Sequence, residues 1–175
     1  LPYRLNLSNT VQTILDWKRE YESKIVYDLE NIFNEQNFEL VKTNFELKKL
    51  NENHPQELGD YDVFAIDEVN GNVWIVECKV IRLVSTFFDM YTQQYRFFNE
   101  QKEDEKFQKR IDYLNDNLLV VLQQLGYTNP EKYKVKSFMC VNKVFLSRYK
   151  KVSFPIVSYS EMVDIIQKSR CETSN

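Results

Sequence analysis

The chain has 175 residues, 43% of them hydrophobic and 14% aromatic, which suits one folded domain and excludes disorder along its whole length. Three Gly and four Pro exclude collagen-like and low-complexity classes, and no apolar run is long enough to cross a bilayer. A formal net charge of −3 argues against a general nucleic-acid coat protein but leaves room for a local site.

Residues 9–37 place Ile14, Trp17, Tyr21, Ile25, Leu29 and Ile32 at three- and four-residue steps, the pattern of an amphipathic helix, with Ser8 or Asn9 as its cap. Residues 38–45 alternate as a strand, and residues 51–54, before Pro55, form a polar break. Residues 60–67 and 72–80 read as adjacent antiparallel strands. Between them the Asn70-Gly71 pair favours the positive φ angles of a hairpin turn.

A helix follows over residues 85–99, bearing Phe87, Phe88, Met90, Tyr91, Gln94, Tyr95 and Phe98; its aromatic face is expected to be core rather than a base-stacking platform. The charged stretch 100–106 interrupts it. A second helix over 105–125 carries Phe107, Ile111, Leu114, Leu118, Val121 and Leu125, and Gly126 closes it. Residues 134–141 and 154–158 are strand candidates, and Ser160 caps a last helix over 161–167. This order predicts an α/β protein with a mixed sheet and helices on both faces.

Cys78, Cys140 and Cys171 match neither a zinc-knuckle nor a disulfide spacing, and the first two lie in apolar strands, so a reducing, cytoplasmic setting is expected. His54 is the only histidine, and no phosphate-cradling glycine loop exists. Charge is uneven: residues 1–129 carry 14 Lys and Arg against 22 Asp and Glu, while residues 130–175 carry 9 against 4. Lys132, Lys134, Lys136, Lys143, Arg148, Lys150 and Lys151 are either a solvated face or one arm of a phosphate-binding surface.

The hairpin carries the chemistry. Side chains alternate along a strand, so Glu77 and Lys79 share one face, as do Asp60, Asp62 and Phe64 on the partner strand. Two carboxylates and an ammonium at one end of a sheet are costly unless compensated, and a divalent cation such as Mg²⁺ or Mn²⁺ compensates them. Such an ion, held by Asp62 and Glu77 with the backbone carbonyl of Cys78 as a further ligand, suits phosphodiester hydrolysis. Lys79 would orient the attacking water or, if desolvated, act as a base. The spacing of an acid two residues before a lysine occurs six times in the chain. Only Glu77/Lys79 ends an apolar strand behind a Gly-Asp-x-Asp strand and a hairpin.

The runs Gly59-Asp60-Tyr61-Asp62-Val63-Phe64-Ala65 and Trp74-Ile75-Val76-Glu77-Cys78-Lys79 resemble the core of the PD-(D/E)xK, or restriction-endonuclease-like, nuclease superfamily. The resemblance spans residues 17–100 and implies a restriction-endonuclease-like mixed central sheet; chain length makes residues 1–175 a single domain, with a core over 10–167 and, from its polar sequence, a loose tail over 168–175. By motif position it makes Asp62 and Glu77 metal ligands and Lys79 catalytic, with Asp60 the competitor for the first position. It also points to Glu22, with Glu30 in reserve, as a carboxylate on the preceding helix, and to Gln94, with Gln93 behind it, on the following helix. The implied activity is a metal-dependent DNA endonuclease of restriction, repair or defence type, as a homodimer or in a larger assembly. Lys134, Lys136, Lys143, Arg148, Lys150 and Lys151 would contact phosphates beside the cut. Two alternatives stay open: a non-catalytic nucleic-acid or protein docking module of the same fold, and a nuclease subunit of a larger defence or mobile-element complex.

Overall fold

Among the described residues, strands β1 (Leu40–Phe45), β2 (Tyr61–Asp67), β3 (Asn72–Lys79), β4 (Lys134–Val141) and β5 (Ile156–Ser158) form one sheet in that order. The first three are antiparallel neighbours, whereas β4 runs parallel to β3 and β5 parallel to β4. The helices are α1 (Leu7–Glu35), α2 (Phe87–Tyr95), α3 (Glu103–Gln124) and α4 (Tyr159–Cys171). This computed structural model describes residues 7–49, 55, 58–82, 84–143 and 152–171, with side chains except at 7–11, 49 and 171. The polar break at 51–54 with His54, the capping side chains of Ser8 and Asn9, and the Cys171 thiol lie outside the described residues. Arg148, Lys150 and Lys151 do so too.

Both faces of the sheet are covered, as an α/β protein requires. Leu29 and Phe33 of α1 and Met162 and Ile166 of α4 pack on Val63, Ala65, Trp74 and Val76. Phe107, Ile111, Leu114 and Val121 of α3 pack on Phe64, Ile66, Val73 and Ile75. Strands β2 and β3 are therefore buried on both sides and read as almost continuous apolar runs.

Five details depart from the sequence expectation. In the hairpin only Gly71 takes a positive φ, of 61°, and Asn70 instead donates its backbone and side-chain N–H groups to the Asp67 carboxylate. A Cβ at Gly71 would stand 2.9 Å from the carbonyl oxygen of Lys132, so backbone approach fixes glycine there. At the start of α4 the cap is Ser158, not Ser160. The Ser158 N–H donates to Glu161 Oε2 at 2.8 Å and the Glu161 N–H to Ser158 Oγ at 3.4 Å, a reciprocal capping box. At its other end α4 continues past Gln167, because Arg170 donates to buried Asp67 at 2.8 Å and to the Asn37 carbonyl at 2.6 Å; residues 168–171 are helix, not loose tail.

The fourth is the aromatic helix. No residue of α2 is buried; Phe87 is 88% and Phe88 76% exposed, and Tyr91 and Tyr95 are exposed as well. A π-helical turn over Arg96–Glu100 inserts an extra residue and swings Phe97 and Phe98 into the core instead. The first half of α1 is also less buried than its periodicity predicts, with Ile14, Trp17 and Tyr21 exposed and burial beginning at Ile25.

Candidate active site

The last registered pair of β2 with β3 is Val63 with Val76. Beyond it the two strands are joined by side chains. Asp62 Oδ2 accepts the Cys78 N–H at 2.6 Å, and Glu22 Oε1, from α1, accepts the Val80 N–H at 3.2 Å. Two carboxylates thus take amides that a neighbouring backbone would otherwise satisfy. On the other edge Asn142, just past β4, accepts from the Ile81 N–H at 2.7 Å and donates to its carbonyl at 3.1 Å.

Alternation fails at one place. Tyr61 joins Phe64 in the layer under α3 and donates its hydroxyl to the Arg110 carbonyl at 2.8 Å. The adjacent Asn44 of β1 has φ of 48°, so the strand pair is locally twisted where Asp62 sits.

Glu77 is buried, its side chain only 3% exposed, and its Oε1 is 2.7 Å from both Lys79 Nζ and Arg110 Nη2. Arg110, on α3, also donates to the Asp60 carbonyl at 2.6 Å. Glu103 lies 3.8 Å from Lys79 Nζ. Burial and then the Glu77 charge push the Asp62 carboxyl up to about 7, against the pull of Lys79, the Cys78 N–H and Arg110. Burial alone would lower the Lys79 pKa, but Glu77, Asp62 and Glu22 outweigh it and hold the ammonium protonated above its ordinary value. These neighbours favour the ammonium form of Lys79.

Asp62, Glu22, Glu30 and Lys79 line one cavity of about 320 Å³. Lys79 and Glu22 also line a larger cleft of about 900 Å³ between α1 and the start of α3. Gln93 lines this cleft and donates to the Arg82 carbonyl at 2.9 Å; Gln94 is not among its lining residues. Asp60 contributes its main-chain carbonyl to Arg110, and of the two aspartates it is Asp62 that lines the cavity with Lys79.

The basic residues fall differently from their sequence clustering. Parallel β4 places Lys134 beside Asn72 and Lys136 beside Trp74, and Val141 beside Lys79. Seven residues at about 3.3 Å each set Lys134 roughly 23 Å from the Lys79 end of the sheet. The Lys136 ammonium sits 4.9 Å over the Trp74 ring. Neither lines the two cavities that Lys79 borders. Lys143 does lie at that end and donates to the Arg82 carbonyl; burial lowers its pKa.

Sequence reading missed Arg110. Its signal is an arginine within the apolar stripe of Phe107, Ile111 and Leu114. It also missed the cations lining the cleft, among them Lys18, Arg96, Lys106 and Lys109, which are spread over three elements.

A divalent ion can be tested against these residues. Glu77 Oε2 is buried without a hydrogen-bond partner, and the Asp62 carboxyl is driven toward its neutral form by burial and then by the Glu77 charge. Both observations mark a place where a cation would relieve an excess of oxygen charge. Among the described residues no three His, Cys, Asp or Glu side chains cluster to hold a metal by themselves. Two carboxylates completed by a carbonyl and waters fit Mg²⁺, which ordinarily keeps several waters.

No family model matches the chain, and no curated protein matches it. Among solved structures it is similar to the small subunit of the heterodimeric restriction endonuclease R.BspD6I, at 14% identity and a TM-score of 0.38, covering 90% of this chain and 77% of that one. No helix among the described residues is long and apolar enough to cross a membrane.

Proposed function

We propose that this protein is a metal-dependent nuclease of the PD-(D/E)xK type that hydrolyses phosphodiester bonds of DNA. The observation that carries the reading is the convergence of Asp62, Glu77 and Lys79 at the end of β3, where Lys79 borders a cleft of about 900 Å³. Asp62 and Glu77 would hold Mg²⁺ or Mn²⁺, with the Cys78 carbonyl, which faces the same strand edge as its amide, as a further oxygen. The ion supplies neutralisation of phosphate charge and a more acidic bound water.

The chain's own residues do the rest. Lys79, kept protonated, donates to a non-bridging phosphate oxygen or to the attacking water and stabilises charge that develops in the transition state. Arg110 fixes Glu77 from behind and sets the carboxylate's orientation, while Glu22 fixes the backbone one residue past Lys79. The buried wall of Val63, Val76 and Cys78 keeps these groups in low dielectric, which strengthens each interaction.

One observation favours a second reading. Glu77 Oε1 is already paired with both Arg110 and Lys79, an ion-pair network that can serve structure alone, as expected of a non-catalytic docking module. Cleavage of plasmid, linear and branched DNA with Mg²⁺, Mn²⁺ or EDTA separates the two. Metal-dependent cutting lost in Glu77→Ala and Lys79→Ala supports the nuclease, and binding without cutting supports the docking module.

A further inference from the structure

The cleft in front of Lys79 has features that hydrolysis does not require. Seven Lys and Arg against four Glu line it, a local excess of three positive charges in a chain whose formal net charge is −3. Among the described residues Lys18 and Lys109 make no ion pair. The pairs of Arg96 with Glu100 and of Lys102 with Glu105 are more than half-exposed on both sides and therefore easily exchanged for phosphate, while Lys106 is exposed opposite a mostly covered Glu103.

The second feature is aromatic. Trp17 lines the same cleft, is 54% exposed, and stacks on Tyr21 with ring centroids 5.5 Å apart and planes inclined by 25°. Half of the Trp17 side chain thus stays exposed at the cleft despite that stacking. Trp17 precedes Glu22 by five residues, about 7.5 Å along the helix axis, and Glu22 holds the amide one residue past Lys79. That separation corresponds to about two stacked nucleotides.

We infer that this cleft takes an unpaired polynucleotide strand, its bases stacking on Trp17 and its phosphates on the cationic lining that leads to Lys79. The inference deepens the proposed nuclease reading and rests on it for the nature of the polymer. A duplex hides its base faces inside the stack and offers Trp17 nothing but sugar and phosphate, whereas every unpaired base presents a π-face. The cleft volume of about 900 Å³ lies within the range of small-ligand pockets, which suits a few separated nucleotides and not a rigid double helix.

The test uses the full chain in EDTA, where nothing is cut, with labelled oligo-dT, oligo-U and a duplex of equal length. Binding is followed by anisotropy and by tryptophan emission. The chain has two tryptophans and Trp74 is buried, so quenching reports on Trp17. The inference predicts that at least one single strand binds about tenfold tighter than duplex and quenches the emission. Trp17→Ala should weaken that binding about 5- to 100-fold, with Trp17→Phe restoring most of it; the DNA and RNA arms identify the sugar. Equal affinity for duplex, binding without quenching, or an unaltered affinity in Trp17→Ala overturns the inference. So does self-association that Trp17→Ala abolishes in a protein that binds no strand. Strand capture that never leads to cleavage when Mg²⁺ is added counts against the nuclease reading alone, and cleavage indifferent to strandedness counts against this inference alone.

Discussion

Arg110 Nη2 lies 2.7 Å from Glu77 Oε1, joining the middle of α3 to the end of β3 through two buried, oppositely charged groups. The same arginine holds the carbonyl of Asp60, the residue just before β2, so one side chain ties the helix to β3 and to the entry of β2. Removing it leaves Glu77 buried with Lys79 as its remaining ion-pair partner. Arg110→Ala is expected to destabilise the fold by about 3–5 kcal/mol in urea denaturation. The loss should be strongly non-additive with Glu77→Gln, because the second change removes the stranded charge.

Asp62 makes stability depend on pH in the direction opposite to most carboxylates. Its pKa is raised from 3.8 to about 7 in the folded protein, so the folded state holds a proton that the unfolded state has released. Below the unfolded value there is no penalty; it grows as pH rises and is complete above about 7, reaching up to about 4 kcal/mol. Thermal melts of wild type and Asp62→Asn in EDTA should therefore diverge between pH 4 and 7, the wild type losing ground. Added Mg²⁺ should reverse the trend in wild type alone.

The hairpin was legible because its cues are local. Apolar runs of strand length flank a glycine that has to accept a positive φ and a close backbone neighbour, and the β3 bounds follow directly. The α1, α3 and β4 segments were legible for the same reason. Arg110 was not, because its partner is 33 residues away and an arginine on a helix ordinarily reads as surface. The faces of α1 and α2 misled because periodicity reports that apolar residues share a side, not that anything covers it. Phe97 and Phe98 reach the core only through a π-turn that no periodicity encodes. Lys134 and Lys136 misled because clustering in sequence ignores strand register, and parallel pairing carries them to the opposite end of the sheet from Lys79.

That register yields a binding prediction. Lys109→Ala should reduce the salt dependence of single-strand binding by about one unit of slope, as loss of one phosphate contact does. Lys134→Ala should leave the slope as it is, since its side chain lies at the far end of the sheet. Affinities measured at several salt concentrations distinguish the two.

Gly71→Ala tests the turn. Alanine at a φ of 61° is strained, and its Cβ would meet the Lys132 carbonyl oxygen at 2.9 Å. A loss of roughly 1–2 kcal/mol from the backbone conformation, plus the cost of that collision, is expected in chemical denaturation. A change within a few tenths would show that the loop readily rearranges.

The central claim is that Asp62 and Glu77 together grip a divalent ion beside Lys79. Calorimetric titration of Mn²⁺ into the purified full chain tests it without reference to any substrate. One site per chain is expected, weakened about tenfold or more in Asp62→Asn and in Glu77→Gln and displaced by Mg²⁺. An unchanged affinity in both variants, or no binding by a folded wild type, would contradict it.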